Sequence, residues 1–557
     1  MPILQRCFWC TSGYYLISIR KILFRSQVCF CVLKRIECRL FLERNIFMAT
    51  IGFMSNSTDD EKEKTPWTTK LEKNSVIFGK HTFLPMNLNE ALNDNTLVIG
   101  TSGTGKTYSF VEPNVLQGNA NYVIADAKGA ILNNVGQSLK KQGYHLQVLN
   151  LIDLKHSMSY NPLHYLKTDL DITNFANQVI ATDPTGFRSH GNNFDPFWDN
   201  AARAVLEVLI LFVKENLPEE EQTIGAITRL FSIINLTPDH IDNALSIFGD
   251  NEKGFYFSDY TGSDNSQDTV GSKLFDWLRE NHPDSEALKK WDHATQSRGS
   301  NRTWSSICGV LGAYLSIYDY PDVENLLSSN QINFEALLKP KTAFFILYDD
   351  ADPSKNFISN VLYGQMISFL YHKAFELEDN KLPVKVRFFL DDFKNVLIPH
   401  FDDYLATARS RNISFCMMLQ DESQLQTKFG PNTSSVIGNC SSYLLTGTTD
   451  LNMARIAAER FNRRPTSIRL MDNDNFLLDV GGYLTETTRY DYMKHPNYVD
   501  KKFPISFHIH TPQLHLKWSK MSAILKHLPS EYNNDEDDDW LDEGNTVIDV
   551  SSDDLPF

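Results

Sequence analysis

The sequence lacks a segment that predicts a membrane-spanning helix. In the first 50 residues the longest uncharged run, from Cys7 to Ile19, has 13 residues, whereas a helix needs about 20 apolar residues to cross a bilayer. The chain also lacks an excess of positive charge, because its formal net charge is −16. This charge argues against a general basic surface for nucleic acid but leaves room for a local basic pore.

Cysteine is scarce outside the N-terminus. Of eight cysteines, three lie beyond residue 50, singly and in apolar contexts that suit a reducing compartment: Cys308, Cys416 and Cys440. The other five belong to residues 1–54, a basic segment with "CFWC" and "CFC". The spacing of "CFWC" invites a zinc or redox interpretation, but "CFC" has the wrong spacing for its partner and no strand–helix context supports a redox pair. This segment is either an amphipathic stretch that lies on a membrane or a start assigned too early. We favour the second interpretation, with Met48 or Met54 as the true start.

The composition is otherwise that of an ordinary globular protein, with 42% hydrophobic and 22% charged residues. The length of 557 residues allows three or four domains at about 150 residues each. Residues 526–557 form a tail that has no Lys or Arg from Glu531 onward. Its acidic composition predicts a solvated, disordered segment.

A phosphate-binding loop is predicted by "NTLVIGTSGTGKTYSFVEPNVL", where an apolar strand leads into G-x-x-x-x-G-K-[ST] and a helical run follows. Glycines let the backbone wrap closely, so that N–H groups point at phosphate oxygens. The helix N-terminus adds a partial positive charge. Lys106 is expected to reach the β- and γ-phosphates and Thr107 to ligate Mg²⁺. The predicted nucleotide site comprises Gly100, Thr101, Ser102, Gly103, Thr104, Gly105, Lys106 and Thr107.

Apolar runs alternate with helical stretches along much of the chain. Further strands are predicted at 121–126, 145–153, 342–349, 386–392, 414–420 and 441–447. Near-continuous apolar strands separated by helices indicate an α/β fold with a mainly parallel sheet covered on both faces. Ligands of such sheets bind at the carboxyl ends of the strands. Asp126, Asp391 and Gln420 are therefore expected on the same rim as the phosphate loop.

The pattern changes between residues 170 and 335. Apolar residues there recur at helical spacing, as in "FWDNAARAVLEVLILFVKEN", and no convincing strand occurs. We predict an all-α insertion domain of normal domain size over 170–335. It divides the nucleotide-binding domain into 55–169, which carries the phosphate loop, and 336–525.

Two carboxylates end the strand in "FFLDD". In phosphate-loop motors an aspartate at this place, here Asp391, holds the Mg²⁺ shell, and we expect Asp392 to orient the attacking water. A turn or helix cap is the structural alternative. Gln420, after the next strand, is expected to sense the γ-phosphate or position water, with capping of the following helix as the alternative. Arg409 is either a cation at a helix C-terminus or an arginine finger for a neighbouring subunit.

Several segments, in order between residues 95 and 496, resemble the coupling proteins of bacterial type IV secretion and conjugation, the TraG/TraD-like DNA-transfer ATPases. They are "GTSGTGKT", "YVIADAKGAIL", "HLQVLNLIDLKHSMSYNPLHYL", "FLDDF", "LATARSRNISFCMMLQDESQL", "SVIGNCSSYLLTG" and "RYDYMKHPNY". The phosphate loop is generic, whereas the "D-x-K-G" strand end and the "ATARSR…LQ…SQL" block are more specific.

The resemblance implies a RecA-like P-loop motor domain with an all-helical insertion, assembled as a homo-hexamer. It implies ATP-driven transport of single-stranded DNA with its attached relaxase to components of a secretion channel. By this match the paired acids fall on Asp391 and Asp392, the strand-end glutamine on Gln420 and the finger on Arg409. A candidate contact for DNA is "KKWDHATQSRGSNRTW" at 289–304, with a polar helix–loop–helix connection as the alternative. The tail is either a docking segment or a solubilising one.

The sequence departs from the family in three places. Asp392 stands where a glutamate is common, and Ala130 stands where "DPKGE" has its acid. An aspartate is one methylene shorter, and a displacement near 1 Å costs about 10²-fold in rate, so we expect slow basal hydrolysis and a rate gain in Asp392→Glu. N-terminal transmembrane helices are not evident, so we expect a peripheral protein at the cytoplasmic face of the cell membrane, which it reaches through a partner or through residues 1–47 if that segment is native.

Two other functions stay open at this point. One is a docking adaptor that binds ATP and recruits substrates but hydrolyses poorly, as the short acid at Asp392 suggests. The other is a different hexameric DNA-pumping ATPase, against which the "SYNP" and "KHPNY" segments speak.

Overall fold

The structure is a computed structural model, and it describes residues 65–86, 92–182, 196–236, 269–296, 301–504, 509, 511–512 and 518–526. The predicted N-terminal segment 1–54 lies outside them, as does the predicted tail 526–557 apart from Lys526.

The chain begins its regular structure with a small antiparallel hairpin. Strand β1 (Ser75–Gly79) pairs with β2 (Thr82–Pro85). This hairpin was not predicted from the sequence. It packs against the helix of the phosphate loop, because Asn114 Nδ2 donates to the Ile77 carbonyl at 2.8 Å and Asn114 Oδ1 accepts from the Ile77 N–H at 2.9 Å.

Nine strands form the main sheet, in the order β11-β10-β9-β3-β8-β7-β4-β6-β5. The seven strands from β9 to β5 pair in parallel, as predicted. The strands are β3 (Thr96–Gly100), β4 (Asn121–Ala127), β5 (His145–Asn150), β6 (Thr342–Tyr348), β7 (Val386–Leu390), β8 (Ile413–Leu419), β9 (Ser442–Gly447), β10 (Asn475–Val480) and β11 (Tyr483–Thr488).

Strands β10 and β11 form an antiparallel hairpin at one edge of the sheet, and the sequence analysis missed it. Val480 pairs with Tyr483 across a two-residue turn. Gly481 and Gly482 have φ of 57° and 94°, and a hairpin turn with two positive φ angles is the one that suits glycine pairs. The hairpin brings the segment that follows Thr488 back towards the phosphate loop.

The sheet is buried on both faces. Along β4, Val123 and Ala125 belong to one hydrophobic cluster, whereas Tyr122 and Ile124 belong to another on the opposite face. Such two-sided burial explains why the strands are near-continuous apolar runs. The helices that follow the sheet strands are α1 (Glu112–Leu116), α2 (Ala130–Lys141), α10 (Asn356–Glu376), α11 (Phe401–Thr407), α12 (Ser423–Phe429), α13 (Thr433–Gly438), α14 (Leu451–Arg460), α15 (Pro465–Arg469) and α16 (Ser519–Lys526).

Between β5 and β6 the described residues form helices and no strand. These helices are α3 (Asp169–Thr182), α4 (Pro196–Asn216), α5 (Ile224–Ile233), α6 (Val270–Asn281), α7 (Glu286–Gln296), α8 (Asn301–Leu315) and α9 (Pro321–Leu327). Their apolar side chains join the same hydrophobic cluster as one face of the sheet. The insertion therefore has the expected helical content, while its limits at 170 and 335 stay predictions. None of the described helices combines the length and the apolar character that spanning a bilayer requires.

Candidate functional site

The phosphate loop connects β3 to a helical turn that begins at Thr107. Gly103 and Gly105 have φ of 83° and 89°, values that are costly for residues with a Cβ. A Cβ on Gly100 would collide with the hydroxyl of Thr446 on β9. The close fit of the loop against its neighbouring strand therefore depends on glycine.

Lys106 lies folded over the mouth of the loop. Its ammonium donates hydrogen bonds to the carbonyl oxygens of Gly100 and of Thr101, the latter at 3.1 Å. Burial lowers the pKa of Lys106, and the nearby carboxylates of Asp391 and Asp392 oppose that shift. The ammonium thus lies on the loop backbone, near enough to the paired acids to feel their charge, while its contact with the β- and γ-phosphates stays a prediction.

Thr107 and Asp391 meet at the carboxyl edge of the sheet. Thr107 Oγ1 donates a 2.6 Å hydrogen bond to Asp391 Oδ2. Burial raises the pKa of Asp391, against the effect of this bond and of the Lys106 charge. A hydroxyl and a carboxylate oxygen that converge in this way fit Mg²⁺, which takes one or two protein oxygens and leaves its other positions to phosphates and water.

No group of three or more acidic, histidine or cysteine side chains in the described part of the chain has the geometry to hold a metal by itself. Thr107 and Asp391 are the residues that would hold Mg²⁺, and their role as metal ligands stays a prediction.

Asp392 follows in a left-handed backbone conformation, with φ of 50° and ψ of 51°. Its Oδ2 accepts a 2.7 Å hydrogen bond from Asn395 Nδ2, and Lys394 Nζ lies 3.9 Å from the same oxygen. Burial raises the pKa of Asp392, while the charges of Lys394 and Lys106 lower it. The second acid is therefore held in a tight turn, beside Asp391 at the rim.

The structure places Gln420 on this rim and Arg409 away from it. Gln420 follows β8 directly, one residue beyond the pairing of Leu419 with Ile99 of β3, so it lies next to the start of the phosphate loop. Arg409 is exposed and precedes β8. One seven-residue strand, about 20 Å at 3.3 Å per residue, separates it from the rim.

Asp126 lies near the end of β4 on the same rim, but its carboxylate binds the backbone of the helix that follows. The two oxygens accept hydrogen bonds from the backbone N–H groups of Ile131 and Leu132 at 3.0 and 2.7 Å, which satisfies free donors at the start of α2. Burial raises the pKa of Asp126 to about 7. Lys128 of the same "DAKGA" segment is exposed, has φ of 69° and pairs with Asp350 at 2.8 Å.

Glu112 is a buried acid that the sequence analysis missed. It lies on α1, only 2% exposed, and its Oε1 accepts a 2.6 Å hydrogen bond from Asn134 Nδ2. Burial raises the pKa of Glu112 to about 7, and the negative charge of Asp391 adds to that shift. A lone glutamate at the end of an apolar helical run gave no signal, because such residues are commonly exposed.

The structure buries both tryptophans of the candidate DNA contact at 289–304, of which residues 297–300 lie outside the described part of the chain. The ring of Trp291 stacks on Phe275 with centroids 4.2 Å apart, and Trp304 is also buried. Lys290 pairs with the buried Glu207 at 2.6 Å. Base stacking needs accessible aromatic faces, so these tryptophans belong to the core of the helical insertion.

Comparisons with known proteins agree with this architecture. Bacterial conjugative coupling protein TrwBdeltaN70, in its trigonal form with sulphate, matches with a TM-score of 0.52 and 14% identity over 77% of this chain and 93% of that chain. Plasmid coupling protein TrwB in complex with the non-hydrolysable ATP analogue ADPNP matches with a TM-score of 0.51 and 14% identity, over 78% and 93% of the two chains. At this identity the likeness concerns the fold, and it confirms the RecA-like α/β class.

A search of curated proteins found no match. The model of the family described as type IV secretory system conjugative DNA transfer matches residues 53–454. This stretch covers well over half of the 557 residues and includes the phosphate loop, the paired acids and Gln420. The chain therefore belongs to the type IV secretory system conjugative DNA transfer family.

Proposed function

We propose that this protein is an ATP-driven coupling protein, which translocates single-stranded DNA with its relaxase to a type IV secretion channel. The hydrogen bond between Thr107 and Asp391 carries the proposal. It joins the phosphate loop to the acid that ends β7, and these two elements together hold nucleotide and metal in phosphate-loop motors.

The chain's own residues supply the parts that ATP hydrolysis needs. The loop from Gly100 to Thr107 offers backbone N–H groups to the phosphates, and Lys106 adds a cation. Bound Mg²⁺ would neutralise charge on the β- and γ-phosphates, with Thr107 and Asp391 as its ligands. Asp392 orients the attacking water in this proposal, and Gln420 contacts the γ-phosphate from the adjacent strand end.

The proposed assembly is a homo-hexamer at the cytoplasmic face of the bacterial membrane, held there by a partner. A finger role for Arg409 requires such an assembly, because this arginine lies at the edge of the sheet opposite to its own phosphate loop. Arg409 would then serve the nucleotide of a neighbouring subunit. Within its own subunit, Arg409 is too far from the phosphate loop to contact the nucleotide.

The test is ATP hydrolysis by the purified full chain, with and without single-stranded DNA, for the wild type and Lys106→Ala. We expect DNA to stimulate hydrolysis and Lys106→Ala to abolish it. Hydrolysis that is indifferent to DNA of every form would exclude a translocase. The related proteins were solved with ADPNP or with ADP and Mg²⁺, so these nucleotides are the natural probes of binding.

A docking adaptor with weak hydrolysis is the second candidate. It is favoured by the turn of Asp392, whose carboxylate is engaged by Asn395. Turnover at ordinary motor rates, about 1–100 s⁻¹ for phosphoryl-transfer enzymes, would exclude it. Nucleotide binding without measurable turnover in the presence of DNA would favour it over the motor.

A further inference from the structure

The segment 489–498, "RYDYMKHPNY", lies along the helix that follows the phosphate loop. Tyr108 Oη donates to Asp491 Oδ1 at 2.7 Å, and the Tyr492 ring packs edge-on against Tyr108 at 4.8 Å between centroids. Farther along, Asn497 Nδ2 donates to the Leu116 carbonyl at 2.9 Å. The segment therefore contacts this helix from its first turn to its last residue.

Arg489 opens the segment, directly after β11, and lies against the phosphate loop itself. Its Nε donates to Ser109 Oγ at 2.9 Å, and its guanidinium carbon lies 4.7 Å from the centre of the Tyr108 ring. Three guanidinium atoms lie 3.1–3.3 Å from the place where a Cβ on Gly105 would stand. A Cβ at position 105 would require the guanidinium to shift by a few tenths of an ångström, so the arginine is in close contact with the loop.

The guanidinium of Arg489 has N–H donors that make no hydrogen bond to a described residue. The Nε bond to Ser109 is its only side-chain hydrogen bond to a described residue, and no described carboxylate pairs with it. An arginine has five N–H donors in a planar fork that suits phosphate oxygens. Here a cation that pairs with no carboxylate of the described residues lies beside the N-terminus of a helix, where the backbone already favours anions. Both features favour the same occupant, an anion.

We propose that Arg489 binds the α- or β-phosphate of the nucleotide held by its own subunit. The inference rests on the proposed nucleotide site and adds a cation from the opposite end of the sequence. The position beside Gly105 and Ser109 assigns the contact to the phosphates nearest the helix N-terminus, because loop N–H groups cradle the α- and β-phosphates. Arg489 thus recognises a nucleoside diphosphate as well as a triphosphate.

The experiment is titration of the full chain with ADP and with the non-hydrolysable analogue ADPNP, both with Mg²⁺. Loss of one charge-assisted hydrogen bond predicts that Arg489→Ala weakens both nucleotides alike, by roughly tenfold to a hundredfold. Arg489→Lys is expected to recover part of the affinity, since lysine keeps the charge but not the fork. Ser109→Ala, which removes only the anchor of Nε, is expected to change the affinity by less than Arg489→Ala does.

Thermal unfolding separates a phosphate contact from a structural role. We expect the Tm of nucleotide-free Arg489→Ala to match that of the wild type, and the rise in Tm on adding ADP to shrink. A matched control is Arg463→Ala, which removes an arginine paired with Glu486 on β11 at 2.7 Å and should leave both nucleotide affinities unchanged. A lower Tm without nucleotide, with ADP affinity unchanged, would assign Arg489 a structural role and overturn the proposal.

Two further outcomes also overturn it. Unchanged affinity of Arg489→Ala for both nucleotides excludes a phosphate contact. Weakened ADPNP binding with intact ADP binding would place the contact on the γ-phosphate instead. Failure of the proposed function gives a different result. If the chain has no nucleotide site, the wild type and Lys106→Ala both fail to bind ADP and ADPNP, whatever residue stands at position 489.

Discussion

Thr107 Oγ1 and Asp391 Oδ2 are 2.6 Å apart, although the two residues are 284 positions apart in the chain. The sheet order explains the meeting, because β8 alone stands between β3 and β7. Both side chains therefore leave the same edge of the sheet at neighbouring places. The bond shows that the phosphate loop and the first acid form one unit.

Removing the Thr107 hydroxyl should uncouple nucleotide binding from Mg²⁺. We expect Thr107→Ala to weaken binding of ADP with Mg²⁺ by about tenfold or more, the worth of a hydrogen bond to a charged group. Thr107→Ser keeps the hydroxyl and should bind as the wild type does. Titrations with Mg²⁺ and with excess chelator provide the measurement. Equal losses under both conditions would argue against a metal ligand at Thr107.

The left-handed turn at Asp392 argues against a rate gain in Asp392→Glu, which side-chain length alone had suggested. Aspartate tolerates the left-handed conformation better than most residues, and here its carboxylate already reaches Asn395 at 2.7 Å. A glutamate would strain the turn and displace its carboxylate from this bond. We now expect Asp392→Glu to lower the rate of ATP hydrolysis severalfold, and Asp392→Asn to lower it by about 10²-fold, as for loss of a general base.

Steady-state hydrolysis with saturating DNA measures both variants, and ADP affinity should stay unchanged in each. Asn395→Ala is the matched variant, since it leaves Asp392 in place and removes only its partner. A higher rate of ATP hydrolysis in Asp392→Glu would show instead that the longer side chain is better placed for catalysis and that the turn relaxes around it.

Glu112 predicts a specific dependence of stability on pH. Its folded-state pKa of about 7 lies above the ordinary value of 4.5, so its contribution to stability is complete below pH 4.5 and is lost as the pH rises through 7. Glu112→Gln cannot ionise and should lack this loss, which is on the order of 3 kcal/mol at one pKa unit per 1.36 kcal/mol.

Denaturant unfolding at pH 5 and pH 8 gives the comparison. The free energy of unfolding of Glu112→Gln, relative to that of the wild type, should be higher at pH 8 than at pH 5. Asp126 has its pKa raised in the same range, so the wild type alone would not isolate Glu112. Glu376→Gln, at an exposed residue, is the control and should show no such trend. A pH-independent difference for Glu112→Gln would mean that Glu112 is charged in the folded protein.

The parallel sheet and the phosphate loop were predictable from the sequence because each depends on local signals. An apolar run such as "TAFFILY" indicates a buried strand wherever it occurs, and the seven predicted parallel strands are present. The hairpin β10–β11 also carried a local signal, the pair Gly481 and Gly482 between alternating residues, and it was overlooked. Site residues that come together only through tertiary contacts could not be predicted from such local signals.

Arg489 illustrates that limit. It lies 380 residues beyond Ser109 and reaches the phosphate loop only through two antiparallel strands that extend the sheet past β9. Nothing in "TTRYDYM" marks the arginine as a partner of a glycine loop. In the same way, the tryptophans of 289–304 suggested an exposed contact until their burial in the helical insertion was known, since composition does not report which face a side chain occupies.

Lys428 lies on the helix that follows Gln420 and connects this helix to the turn that carries the second acid, Asp392. From α12 its ammonium donates to the carbonyl oxygens of Phe393, at 2.9 Å, and of Val396. Burial lowers the pKa of Lys428 to about 7. The two acceptors belong to the turn that carries Asp392 and Asn395, so the lysine fixes the position of this turn relative to β8.

We expect Lys428→Met to lower the rate of ATP hydrolysis by about tenfold or more, because small displacements of a positioned group are costly, while ADP affinity stays that of the wild type. The loss of a buried ammonium and the loss of its two hydrogen bonds act in opposite directions on the free energy of unfolding, so the rate of hydrolysis relative to ADP affinity is the deciding readout. Lys373→Met, at a lysine paired with Glu376 on α10 at 2.8 Å, is the control. If Lys428→Met instead loses ADP affinity in step with its rate, the lysine supports the phosphate loop as a whole and not the turn of Asp392.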